Sequence, residues 1–282
     1  MSIKPFNVLG IGATFSPNLK ANLYEASRLC LFFEAKLVVI HVGDHTQEKY
    51  DQFEEILYYF KDENLNYEIV FTSGNPVDVI LNTVNTYNID LLIIGALQRE
   101  NLVNYYVGSI ARKITRKATC SVLLLINPKI DRISCEHIVV NGLEDPKTEQ
   151  TVKNAFYVGH KLGALKLTIV EEIRDKEVHI NINDDASLRK ANIKKEKLRR
   201  REDSRIHKII NDIDPKTKET LSIQSQAIFG KRGYSIGHYA EVARADLLVM
   251  NAPSKVRFWD RLFPHDIEHI LTELPTDVLI VR

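Results

Sequence analysis

The stretch DLLIIGALQRENLVNYYVGSIARKITRKATCSVLLLI, Asp90 to Ile126, can be laid without a gap over DLLVMNAPSKVRFWDRLFPHDIEHILTELPTDVLIVR, Asp246 to Arg282. Each copy reads as an apolar strand, a polar loop, an amphipathic helix and a second apolar strand, so the chain is built from a duplicated unit. At 282 residues it then suits two domains of about 140 residues, each large enough to bury a core of its own.

Working outward from the first copy, the apolar runs Val8 to Ile11, Leu37 to Val42, Glu68 to Phe71, Leu91 to Ile94 and Val122 to Ile126 predict strands. Between them Leu19 to Glu34, Gln47 to Phe60, Val77 to Thr86 and Ser109 to Arg116 carry apolar residues at helical spacing. Strands that alternate with helices imply a parallel sheet covered on both faces, because each parallel crossover needs a long connection. The fold class is therefore α/β, a doubly wound parallel sheet, over residues 1–128. After Asn127-Pro128 the order restarts with His137 to Val140, a helix over Thr148 to Leu162, and Leu167 to Val170. Ala227 to Phe229, Ile236 to Arg244, Leu247 to Met250, a helix from about His265 and Val278 to Val281 complete a second domain over 135–282.

The halves differ between their second and third strands, where the second carries a long charged insertion at about 175–215. Leu188, Ala191, Leu198, Ile206, Ile209 and Ile213 lie near helical spacing there, and Lys194, Lys195, Lys197, Arg199, Arg200 and Arg201 form a basic cluster. The cluster reads as the solvated face of an amphipathic helix or as a surface for an acidic partner. It has no interleaved aromatics for base stacking, which disfavours nucleic acid.

A formal net charge of +1 gives no general reason to expect nucleic acid or an acidic membrane as partner. Cys30, Cys120 and Cys135 are odd in number and lack metal or redox spacing, as expected of a reduced, cytoplasmic protein. The N-terminal MSIKPFNVLG has no long apolar segment and no later run reaches a membrane span of about 18 residues, so neither secretion nor membrane insertion is expected.

The chemistry is expected after the fourth strand, where Gly95-Ala96-Leu97-Gln98 is followed by nine residues and then Gly108-Ser109 at a helix start. A helix N-terminus offers unpaired N–H groups and a positive dipole end to an anion. Glycine lets backbone approach a phosphate, and the Ser109 hydroxyl can either donate to that phosphate or cap the helix. Open α/β sheets hold ligands beyond the carboxyl ends of their strands, where this loop lies.

With its LVVIHV strand, its FTSGNP turn and its GALQ to GS segment, the chain resembles the tandem universal stress proteins in both halves. The resemblance implies two Rossmann-like, adenine nucleotide alpha hydrolase-like domains. It also implies a pseudo-twofold dimer within the chain, pairing Val122 to Ile126 with Val278 to Val281, and leaves a further homodimer open. The nucleotide-binding members of that family carry Gly, two residues, Gly, nine residues, Gly and Ser or Thr, with an Asp ending the first strand. The match falls on Gly95, Gly108 and Ser109. Gln98 stands in place of the second glycine, Gly12 in place of the Asp, and Arg99 adjoins the loop, where it can pair with phosphate or stay solvated. The implied role is a non-catalytic, stress-linked binding or regulatory module with ATP or AMP, and Mg, in the first domain. The second has Asn251, Ser254 and Pro264-His265 at the matching positions, and is not expected to bind ATP in this manner.

Other constellations carry less. His265 and His269 are four residues apart in PHDIEH, but Asp266 stands where a zinc protease has its Glu and no third ligand is identified. HVGDH, with His41, Asp44 and His45, is a strand end, so no metal is expected at either place. No nucleophile elbow or Cys-His pair stands out, so no enzyme activity is expected. Phe258, Trp259, Leu262 and Phe263 read as packing over their own domain or as a patch for a protein partner, which with the basic helix makes an ATP-independent adaptor the second functional reading.

Overall fold

The computed structural model describes residues 5–98, 105–178, 180–181, 183–231, 233–252 and 266–282. The Trp259 cluster, Arg99, Ser254, Pro264 and His265 lie outside the described residues. The chain clusters into two units. The first comprises Ser2–Ser134 together with Leu271–Arg282, and the second is centred on Cys135–Asn251.

In the first unit β1 (Val8–Gly12), β2 (Lys36–Val42), β3 (Tyr67–Thr72), β4 (Leu91–Gly95) and β7 (Ser121–Leu125) alternate with helices α1 (Leu19–Phe33), α2 (Gln47–Leu57), α3 (Pro76–Thr86) and α4 (Ser109–Lys117). The strand order is β3-β2-β1-β4-β7 with every pairing parallel. A β-branched run such as KLVVIHV is buried through Leu37 to His41 because helices cover both faces of the sheet. α1 packs Leu19, Leu23, Ala26, Cys30 and Phe33 inward, one stripe at helical spacing. α3 begins where Asn75 accepts the Val77 N–H at 3.0 Å and Pro76 occupies the first helical position.

β12 (Asp277–Val281) joins this unit antiparallel to β7, with Val278 opposite Leu124 and Ile280 opposite Val122. The strand pair implied by the family resemblance is therefore formed, and it covers the edge that β7 would otherwise expose. Arg282 continues the contact by donating to the carbonyls of Thr115 and Arg116 at the end of α4.

The second unit has β8 (His137–Asn141), α5 (Thr148–Leu162), β9 (Lys166–Arg174), α6 (Asp175–Val178), α7 (Asp185–Asn211), β10 (Ser222–Gly230), α8 (Tyr234–Val242) and β11 (Leu247–Asn251), in the strand order β10-β9-β8-β11. α5 stops at Gly163, whose φ of 74° is open to glycine at little cost. The insertion is the 27-residue helix α7, started by a capping box between Asp184 and Ser187.

Three elements differ from the expectation. α2 ends at Leu57 and passes into a 3-10 turn, Tyr58–Glu63, closed by Asn64 with φ 56°. β9 and β10 pair along nine residues each, longer than their apolar runs suggest, because polar residues such as Gln224 and Gln226 occupy exposed positions on an edge strand. Leu188, counted on the apolar side of the insertion, is 43% exposed, and the buried residues of α7 are Ala191, Glu202 and Ile206.

Candidate functional site

In the first unit the strand order reverses between β1, which leads to β2 and β3 on one side, and β4, which leads to β7 on the other. A parallel sheet opens a crevice beyond the carboxyl ends of its strands at such a point. β1 and β4 end there in Gly12 and Gly95, so both rims lack side chains. The chain turns away through Ala13, whose N–H donates to Ile40 O at 2.9 Å, and Ala96, whose N–H donates to Leu125 O at 2.7 Å.

The reason for glycine differs at the two rims. A Cβ on Gly12 would meet Ile80 Cδ1 at 3.5 Å, an ordinary contact, whereas one on Gly95 would lie 3.2 Å from Asn22 Oδ1. That oxygen is buried and has no hydrogen-bond partner among the described residues. Gly95 thus leaves room for the amide of α1 packed against it, independently of any phosphate. Gly95→Ala is expected to cost about 1 kcal/mol of overpacking, and an added Asn22→Ala to restore most of it, as read by urea denaturation.

The two described ends of the loop after β4 pair with each other. Leu97–Gln98 (β5) pairs antiparallel with Tyr105–Tyr106 (β6), so Gln98 stands in a short hairpin opposite Tyr105. Beyond it Val107 donates to Leu271 O at 3.1 Å, and α4 starts with Gly108 as its N-cap. That cap has no side chain, and Ser109 is the exposed first residue of the helix, so the alternative in which Ser109 caps α4 is not realised. The structure brings Gly12 and Gly95 to one crevice and puts Gly108 and Ser109 at an uncapped helix start.

An aromatic cluster forms the β2 side. His41 is 8% exposed, its Nδ1 lies 3.1 Å from Ala13 O, and Phe15 and Phe71 meet its ring at centroid distances of 5.0 and 5.4 Å. Phe53 of α2 lies 4.9 Å from Phe15. His41 is therefore a packing residue that fixes the β1–α1 turn. Among the described residues no group of three or more His, Cys, Asp or Glu could hold a metal ion.

The matching place in the second unit is filled by its own side chains. Asn141 and Asn251 end β8 and β11 where Gly12 and Gly95 end β1 and β4. Asn251 Nδ2 donates to Thr148 Oγ1 at 3.2 Å, Thr148 Oγ1 donates to Leu143 O, and Leu143 N donates to Asn141 Oδ1 at 3.0 Å. These links, absent from the motif comparison, were legible only as Asn141 and Asn251 standing at strand ends.

The basic cluster of α7 divides. Lys195 and Arg199 lie over the Phe229 ring at 5.6 and 5.2 Å, and Arg200 pairs with Glu196 at 2.9 Å. Arg201 turns toward Glu202, and Lys194 and Lys197 are exposed.

Residues 8–125 match the model of the universal stress protein family. Among solved structures the chain is similar to a universal stress protein from Pseudomonas aeruginosa UCBPP-PA14 at TM-score 0.67 and 13% identity, covering 98% of this chain and 92% of that one. A universal stress protein from Archaeoglobus fulgidus DSM 4304 gives 0.65 and 14%, covering 98% of each chain. A protein of unknown function from Pseudomonas aeruginosa PAO1 gives 0.70 and 14%, covering 98% of this chain and 92% of that one. At these identities the likeness concerns the fold. No curated protein matches the chain.

Proposed function

We propose, from the match of residues 8–125 to the universal stress protein family model, that the chain is a non-catalytic stress-response binding module whose first unit takes an adenine nucleotide, ATP or AMP with Mg, at the crevice between β1 and β4. The observation that carries this reading is the pair of side-chain-free rims, Gly12 and Gly95, at the point where the strand order reverses. The uncapped start of α4 at Gly108 and Ser109 supplies N–H groups and the positive end of the helix dipole for phosphate. In the sequence Gln98 and Arg99 follow Gly95 closely, and a guanidinium such as that of Arg99 is chemically suited to pairing with a phosphate. Asn22 Oδ1, buried beside Gly95 with no partner among the described residues, is an acceptor for a ribose hydroxyl or amino group.

The second unit has Asn141, Thr148 and Asn251 hydrogen-bonded across the equivalent place, and in this reading it binds no nucleotide. The repeat divides the chain into domains at 1–128 and 135–282, and the second serves the fold and protein contacts in the cytoplasm.

The test is calorimetric titration of the full chain with ATP in the presence of Mg, beside a Gly108→Asp variant that sets a carboxylate at the α4 start. One-site binding weakened at least about tenfold in the variant is the expected result, since an anion there opposes the dipole. No binding in the wild type overturns the reading in favour of an ATP-independent adaptor, whose basic α7 surface would give partner binding that weakens with salt.

A further inference from the structure

The second unit contains an ionic cluster, buried at Glu171, Glu172 and Glu202, that neither the repeat nor the nucleotide reading uses. Glu171 and Glu172, adjacent on β9, point to opposite faces of the sheet. Glu172 is 4% exposed and fully engaged, accepting the Ile236 N–H at 2.9 Å and the Gly233 N–H at 3.0 Å, which holds the start of α8. Glu171 is 1% exposed and accepts from Ser225 Oγ, at 3.0 Å through Oε1. Its Oε2 is buried with no partner among the described residues. An ionised carboxylate is costly in that position, and a protonated one far less so.

Among the described residues, the cation that acts on Glu171 is Arg205, which is shared with Glu202. On α7, Glu202 is 4% exposed and takes both neighbouring guanidiniums, Arg201 through Nε at 2.8 Å and Arg205 through Nε at 2.9 Å. Arg201 further reaches Glu177 of α6 at 3.5 Å and Glu144 of the β8–α5 turn at 3.8 Å. Arg205 donates its Nη2 to the Gly142 carbonyl. The small cleft they line with Glu171 therefore sets five glutamates, Glu144, Glu171, Glu172, Glu177 and Glu202, against the two guanidiniums of Arg201 and Arg205. Asp203 on α7 adds a further negative charge, while β10 and the end of β8 present Ser225 and Gly142, which do not titrate.

Above this cluster α7 is lightly held. Of its 27 residues Ala191, Glu202 and Ile206 are buried, and Ile193 is 69% exposed. A helix with so few apolar anchors is an element that a single buried charge can bias.

We propose that Glu171 is a proton-dependent latch, holding α7 docked over β9 and β10 when protonated and releasing the helix when ionised. Burial is the main cause that pushes its carboxyl up to about 7, aided by Glu202 and Asp203 and opposed by Ser225 and Arg205. With α7 released, the side chain meets water and returns to its ordinary value of 4.5. The docked state thus binds the extra proton, so the latch is fully effective below pH 4.5 and is lost as pH rises to about 7. Between pH 5 and pH 8 the docking equilibrium weakens roughly 70-fold. His137, buried on β8 with its imidazolium disfavoured by burial and by Lys166, titrates with the opposite sign, so a Glu171 variant is needed to isolate the latch.

Hydrogen–deuterium exchange of the full chain, corrected for intrinsic rates, tests this on the amides of residues 200–213 and 222–229. Their protection relative to α5 is expected to fall roughly 70-fold from pH 5 to pH 8 in the wild type. Glu171→Gln, which keeps the shape of the neutral acid, should flatten that profile. An unchanged wild-type profile, or a Glu171→Gln profile as steep as wild type, overturns the latch. Carbon-13 NMR of the glutamate carboxyls in the wild type gives an independent readout if the variant does not fold. A Glu171 midpoint near 7 supports the proposal and one near 4.5 sinks it.

Discussion

Phe53→Ala is expected to lower the unfolding free energy of the first unit by about 3 to 5 kcal/mol, the range for truncating a buried phenylalanine. Phe53 is 0% exposed, and with Leu57 it makes up the buried face of α2. Its ring meets Phe15 at 4.9 Å and both His41 and Phe71 at 5.9 Å, so the truncation removes the centre of an aromatic cluster as well as the anchor of a helix. α2 has little else to hold it, since its outer face is polar and its isolated length is marginal for a helix. The same change reaches the candidate crevice. Phe15 lies in the turn after β1, and His41 holds that turn through Ala13 O. Phe53→Ala should therefore weaken ATP binding as well, whereas Phe53→Met, which refills most of the volume, should recover much of both losses. Urea denaturation and the ATP titration together check this. A stability loss below about 1 kcal/mol would mean that the cluster does not anchor α2.

The alternation of strands and helices was legible because the strands of a covered parallel sheet are continuous apolar runs. LVVIHV and LLIIG announce themselves in this way. β10 showed only its last part, Ala227 to Phe229, because Gln224 and Gln226 occupy exposed edge positions and interrupt the run before it. The insertion helix was legible from its charge and length, but its inward side was not. Helical spacing placed Leu188 among the buried residues, while the structure buries Glu202, held by Arg201 and Arg205, an ion cluster that no periodicity of apolar residues reports. At the candidate site the motif led to Gly95 and Gly108. It did not reveal that Gly95 makes room for Asn22, far earlier in the chain on α1, since that contact depends on how α1 packs on the sheet. Nor did spacing show that the residues after Gly95 fold back as a hairpin with Tyr105–Tyr106.

The first residue of each repeat copy gives the second large expected effect. Asp90 and Asp246 head the two aligned stretches, and a shared aspartate beside a candidate site invites a functional role. The structure supplies a different reason. Asp90 N donates to Val8 O at 2.8 Å while its Oδ2 accepts from Val8 N at 3.2 Å and Asn7 N at 3.0 Å. Asp246 repeats the arrangement, donating to His137 O at 2.9 Å and accepting from His137 N and Glu136 N, each at 2.9 Å. Each aspartate thus clamps the start of one central strand to its neighbour, at the end of the sheet opposite the crevice. Bonds to a charged acceptor contribute about 1.5 to 3 kcal/mol each when buried, and these are partly exposed, so Asp90→Ala and Asp246→Ala should each cost about 2 to 3 kcal/mol. Asn at either position keeps one carbonyl oxygen for both N–H groups and loses the charge, so it should cost about 1 kcal/mol. A structural clamp predicts that Asp90→Asn leaves ATP affinity within about twofold of wild type. Loss of ATP binding in Asp90→Asn without loss of stability would instead place Asp90 at the ligand and require the crevice to be redrawn.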